Sequence, residues 1–307
     1  IKLVLIGRKG MKKMNGKRKI KVSQIVLNII LILMCAMTLY PLLLCLGVSF
    51  SEEQDVLKYG YAMIPRHFSL AAYKYVFANP KSIIDAYTVT IIFSVAGTLG
   101  MLIFNSMMAY PLSRQKYRFR NGLNFYFYFT CLFGGGLVPT YLLYTRYLHL
   151  SDTIWVYIIP GLVSAWNIFY IRASFQALPE EIIESAVLDG ASEWRILVTF
   201  MIPLSKPVLA TLALQTFLGK WNDWYTSMLY INDKMNLISL QYLLQRIMLN
   251  AKLLQDNNTS GLIDVSLIPG ETANMAMMFV VTGPALIVFP FFQKYFVKGM
   301  VIGSVKG

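Results

Sequence analysis

The sequence predicts an all-α integral membrane protein with six transmembrane helices, and three observations carry that expectation. Of 307 residues, 56% are hydrophobic and only 14% are charged, with a mean hydropathy of +0.54. Soluble domains run near about 45–50% apolar and about 25% charged. Six stretches reach the roughly 20 apolar residues that a membrane-crossing helix needs. They cover residues 24–50, 84–112, 122–147, 152–175, 204–231 and 272–297. Finally, nineteen Lys and Arg fall on one set of alternating connections and seven on the other. Cytoplasmic loops carry that excess, so both termini are expected inside.

Each element can be justified in order. Residues 1–23 form a basic cytoplasmic segment with nine Lys and Arg. A signal peptide can begin this way, but the apolar run that follows is too long and lacks a clear cleavage site. It is therefore read as a retained first span, and Met11 and Met14 are plausible true starts. Residues 24–299 form the six-span domain, and 300–307 a cytoplasmic tail. In the third span, the run Phe133–Pro139 holds three glycines and a proline, which must interrupt a helix. The interruption serves either as a simple kink or as a functional break. The outer segment 232–269 places Leu237, Leu240, Leu243, Leu244 and Ile247 at helical spacing. That stripe is either packed on the membrane surface or a docking surface for an external protein.

Several chemistries are not expected. No phosphate-cradling GxxxxGK[ST] run is present, and Gly219-Lys220-Trp221 lacks its other members. The spans hold almost no ionisable groups, which argues against an ion-coupled carrier and an intramembrane hydrolase. Cys35, Cys45 and Cys131 all lie in apolar stretches with neither metal spacing nor a disulfide framework. His67 and His149 are far apart in outer loops, so no metal is expected. The net charge of +13 reflects the loop bias, so the expected partner is the lipid bilayer and not nucleic acid.

The inner loop at about 178–203 differs in kind. Pro179 with Glu180 and Glu181 opens a helix, because carboxylates favour its positive end. Gly190 ends it in a left-handed conformation, and Ser192 can cap a second helix running to about Met201. Ala186 and Gly190 leave a low surface for another backbone, and Glu184 offers a carboxylate to a partner arginine. A docking unit and an ordinary hairpin with solvated charges both fit these residues.

Glu184-Ser185-Ala186, then Gly190, then Pro203, resembles the EAA loop of ABC importer permeases. Ser185 replaces an alanine of that pattern, Phe200 an isoleucine and Ile202 a leucine. The tail Phe291–Gly307, the segment Pro65–Phe77 and Leu218–Trp224 resemble the maltose-type (MalG-like) carbohydrate permeases. Leu132–Tyr144 resembles the subgroup associated with polysaccharide-derived oligosaccharides in Gram-positive bacteria. The resemblance implies a second homologous permease subunit, two cytoplasmic ATPase subunits that bind ATP and Mg, and an extracellular solute-binding lipoprotein. It implies no cofactor and no catalytic residue in this chain. It assigns Glu184, Ser185, Ala186, Asp189, Gly190, Ala191 and Pro203 to ATPase coupling. It also implies that the tail from Lys298 reaches the ATPase interface.

Two groups combine aromatic faces with amide or carboxylate groups suited to sugars. Trp221, Asn222, Asp223 and Trp224 close the fifth span, roughly 27–32 Å above Pro203 if the helix runs straight. Trp166, Asn167 and Tyr170 lie in the fourth. The alternative reading is interfacial aromatics and interhelical amide bonds. The rival functions are a self-sufficient secondary transporter, a permease of the same kind for peptides, and a membrane-bound enzyme.

Overall fold

The computed structural model describes residues 22–256 and 270–303. The basic segment before Val22, residues 257–269 and the tail after Gly303 lie outside the described residues. All regular structure among the described residues is helical, apart from one isolated antiparallel bridge between Ser51 and Phe68.

Among the described residues, three helices are long and apolar enough to cross a membrane alone: Ser23–Ser49, Pro80–Ser113 and Gly270–Val288. They belong to α1 (Val22–Ser49), α4 (Pro80–Ser113) and α15 (Gly270–Gly303). Between α1 and α4 lie two short helices, α2 (Glu53–Tyr59) and α3 (Ala71–Val76). The other candidate spans are bent pairs. The first joins α5 (Arg120–Leu132) to α6 (Leu137–Leu142), which continues as a π-helical turn to Tyr147, with a 110° bend. The second joins α7 (Trp155–Ile158), extended by a 3-10 turn to Gly161, to α8 (Ala165–Gln176), bent by 49°. After α9 (Glu180–Leu188) comes α10 (Glu193–Ile196), prolonged by a π-helical turn and by α11 (Ile202–Leu204). That arm meets α12 (Lys206–Trp221) at 79°.

The triple glycine does break the third stretch. Gly136 sits at φ +82° and ψ 179°, a region essentially reserved for glycine. The break in the fourth stretch was not foreseen. The fifth stretch also departs from expectation: no continuous helix runs over 204–231. Ser205 marks one corner. Asn222–Trp224 marks another, before α13 (Tyr225–Tyr230). The straight-helix rise above Pro203 therefore does not apply.

The bundle is organised around α4. Its C-terminal half joins Met101 and Leu112 to Ile171, Phe175, Ile183, Ile196 and Met201 in one core. A second core gathers Ile83, Ala86 and Trp221 with Leu240 and Met277. Leu240 and Leu244 open α14 (Leu240–Asp256) and are buried there, with Leu243 and Ile247 against them. The amphipathic stripe of segment 232–269 is thus packed on the chain itself, so this face neither lies on the membrane surface nor is open to an external protein, and both readings of it are corrected. By contrast, α1 is exposed from Ile25 to Leu43 and becomes buried only near Val48.

Candidate functional site

The loop between α8 and α12 forms a compact hairpin. Glu180 and Glu181 occupy the first turn of α9, directly after Pro179. Carboxylates there face the positive end of the helix dipole. The helix stops at Gly190, at φ +78°, whose N–H bonds to Val187 O at 3.0 Å. Ala191 N–H then donates to Ala186 O at 2.9 Å. Ser192 Oγ accepts from Arg195 N at 3.3 Å and so caps α10.

One face of the hairpin is welded to the bundle. Ile183 and Ala186 are buried, together with Ile196 and Leu197 of the second arm. Burying one such aliphatic side chain stabilises by about 1.5–3 kcal/mol. Ala186 therefore packs inward and does not offer the low surface expected of it; Ser185 and Gly190 are the small exposed positions. Tyr110 Oη donates to the Glu193 carboxylate and ties the end of α4 to the second arm. Pro203 is half-buried just before the Ser205 corner.

The opposite face is open. Glu184, Val187, Leu188 and Asp189 are exposed, Leu188 at 88%. A groove runs between this face and the end of α4, lined by Tyr110, Arg114, Lys116, Glu180, Glu184 and Glu193. Among the described residues no ion pair joins its basic and acidic walls.

The two aromatic–amide groups fare differently. Trp166 and Tyr170 are four residues apart and share a face of α8. They are 65% and 57% exposed, with Asn167 half-buried between them. Ile168, Ile171 and Phe175 hold the buried face of that helix. Trp221 is only 2% exposed, and its indole N–H donates to Val281 O at 3.0 Å. It serves packing of α12 on α15. Asp223 accepts from Thr226 N, in the first turn of α13, at 3.0 Å. Asn222 is exposed and donates to Leu218 O, and Trp224 is half-buried against Tyr225. Among the described residues no hydrogen bond or ring contact links one group to the other.

Sequence spacing also hid two arrangements. Asn105 and Lys220 both reach the break between α7 and α8. Between α1 and α4, the Ser51–Phe68 bridge brings His67 beside Asp55, with Nδ1 2.8 Å from Oδ2. Glu52 adds a third group, all with donor atoms within 4.8 Å of one another. His67 thus has convergent neighbours that its sequence distance from His149 did not reveal.

The comparisons with known proteins agree with this architecture. Residues 17–302 match the family described as the binding-protein-dependent transport system inner membrane component. The chain is 40% identical over 274 residues to protein LplC of Bacillus subtilis, covering 89% of this chain and 90% of that protein. It is 35% identical to the polygalacturonan/rhamnogalacturonan transport system permease protein YtcP of Bacillus subtilis, covering 90% of this chain and 96% of that one. A solved chain from a bacterial ABC transporter involved in importing the acidic polysaccharide alginate superposes with a TM-score of 0.77 at 29% identity, covering 92% of this chain and 99% of that chain. With the family match extending over nearly its whole length, this chain belongs to the binding-protein-dependent transport system inner membrane components, the permease subunits of ABC transporters, which are not themselves enzymes.

Proposed function

We propose that this chain supplies half of the transmembrane pathway of an ATP-driven importer for an oligosaccharide, released from a larger polysaccharide and delivered by an extracellular solute-binding lipoprotein. The observation that carries the reading is the near full-length likeness to the alginate importer chain. The permease named for polygalacturonan and rhamnogalacturonan, 35% identical, supports the same substrate class. A second homologous permease completes the pathway. Two ATPase subunits hold ATP and Mg, and this chain itself needs no cofactor. Both termini lie in the cytoplasm.

In this reading the hairpin divides its labour. Glu184, Ser185, Asp189 and Gly190 lie on the exposed side and meet the ATPase. Ala186, Ala191 and Pro203 fasten the hairpin to the bundle, so that a push on one face moves the helices behind it. Motion between two packed arrangements then alternates access. On the substrate side, the exposed rings of Trp166 and Tyr170 offer stacking faces flanked by the Asn167 amide. Asn222 and Trp224 offer a second contact, while Trp221 and Asp223 hold the local fold.

Mass spectrometry of what co-purifies with the tagged chain in mild detergent tests the assembly. A second six-span subunit with a Walker-motif ATPase is expected. Recovery of the chain alone, under conditions that preserve known complexes, would overturn the proposal. Glu184→Lys is expected to leave membrane levels of the chain unchanged and to abolish uptake. Wild-type uptake by that variant would remove Glu184 from the coupling role.

A further inference from the structure

The break between α7 and α8 is held by side chains from two other helices. Asn105 of α4, fully buried, accepts from Ser164 N at 2.9 Å and donates to Leu162 O at 2.9 Å. It thereby replaces the helical hydrogen bonds that the bend removes. Lys220, in the last turn of α12, donates from Nζ to Tyr157 O at 2.7 Å. That carbonyl lies one turn before the end of the half-helix, where carbonyl dipoles favour a cation.

Two glycines make room for this lysine. A Cβ at Gly97 would lie 2.8 Å from Nζ and closer still to Cε; a Cβ at Gly161 would lie 3.0 Å from Nζ. The side chain therefore runs in a slot between α4 and the end of the α7 half-helix. An ammonium inside a helical bundle is costly to bury. Filling the slot requires only an unbranched apolar chain, so the charge adds something beyond packing. What it adds is an attachment: α12 is hydrogen-bonded to the backbone just ahead of the break. Asp223, the nearby acid, forms no ion pair with it and is occupied at Thr226 N.

We propose that Lys220 is a positioning residue that links the coupling hairpin to the Trp166–Tyr170 face. The path is short and continuous. The second arm of the hairpin, Glu193–Leu204, meets α12 at Ser205. Lys220 closes α12 and grips Tyr157. The break follows Gly161, and α8 begins at Ala165 with Trp166 in its first turn. The inner part of α8 already packs on the hairpin in the shared core; the Lys220 hydrogen bond, seated between two glycines, adds a second route that reaches α8 at its other end, where the aromatic face begins. The proposal rests on reading residues 178–203 as the coupling loop.

The test uses the assembled transporter with Cys35, Cys45 and Cys131 replaced. A bimane label on a cysteine at Ala173, exposed on α8, reports the environment of that helix. Trapping nucleotide with ATP and vanadate is expected to shift its emission in the otherwise wild-type complex. Lys220→Met keeps the length and removes the grip. Gly97→Ala keeps the charge and displaces the lysine from its slot. Both are expected to trap nucleotide normally while the conformational equilibrium reported at Ala173 moves by about 2- to 30-fold. A full wild-type shift in either trapping-competent variant would overturn the proposal, as would the absence of any shift in the wild-type complex. If Lys220→Met fails to assemble, Gly97→Ala decides alone. Failure of the ATPase to co-purify with the unmutated chain would instead refute the coupling-loop reading.

Discussion

Single residues set the corners of this chain, and their backbone angles make them testable. Gly190 at φ +78° and Gly136 at φ +82° both have open space where a Cβ would go. Their identity is therefore a backbone requirement and not a packing one. Gly136→Ala is expected to cost about 1–3 kcal/mol, whereas Gly134→Ala, with open space and no positive φ, is expected to be tolerated. Thermal unfolding in detergent, compared between the two, checks this. Asp152 is a different kind of corner. It adopts φ +54°, and its Oδ1 accepts from the backbone N–H groups of Asn232, Asp233 and Lys234 at 2.9–3.2 Å. Burial alone would raise its pKa, but the three backbone donors outweigh it and hold the carboxyl below its ordinary 3.8. Because the folded value is depressed, this contribution is present above pH 3.8 and is lost as pH falls below that. Asp152→Ala is expected to destabilise by about 1–2 kcal/mol at neutral pH. The difference from wild type should shrink on acidification below 3.8, and an unchanged difference would contradict the assignment.

At the scale of elements, the legible features were those with strong local chemistry. Hydropathy located the apolar stretches, Gly134–Gly136 announced a bend, and Gly190 and Ser192 marked the ends of the hairpin helices. The missed features share a physical cause. Pro160-Gly161 sits inside an unbroken apolar run, so periodicity carried the fourth helix straight through it. The partners that stabilise the bend, Asn105 and Lys220, are far away in sequence, and no local pattern shows their convergence. Trp221 through Trp224 read as a single polar–aromatic group. Yet the corner at Asn222 turns Trp221 into the core and leaves Asn222 outside. Ala186 was likewise placed on a surface, although its position one turn after Ile183 puts both on the buried face. In each case tertiary contact, not local preference, decided which way a side chain pointed.

For the whole molecule, the proposed orientation gives a labelling prediction. In a cysteine-free background, a cysteine at Leu188 is expected to react with a membrane-impermeant maleimide only after the membrane is opened. One at Asp233 should react in intact cells. The reverse pattern would invert the topology and place the hairpin outside, beyond reach of any cytoplasmic ATPase. Lysine and arginine distribution is the sequence feature on which this proposed orientation rests. The identity of the proposed substrate was not readable, because Trp, Tyr and Asn also serve packing and interfacial roles.

The clamp at the bend in the fourth stretch bears on how the protein is built during synthesis. A straight helix can enter the bilayer with its backbone already satisfied, but a bent one cannot. As α7 and α8 leave the ribosome, Asn105 has already been made, while Lys220 has not. The fourth stretch is therefore expected to gain its second attachment, at Tyr157 O, only when the C-terminal end of α12 has been made. A chain truncated after Leu204 is expected to leave a cysteine at Leu162 open to maleimide, and the full-length chain to protect it. Equal protection in both would show that Asn105 alone suffices to seal the bend.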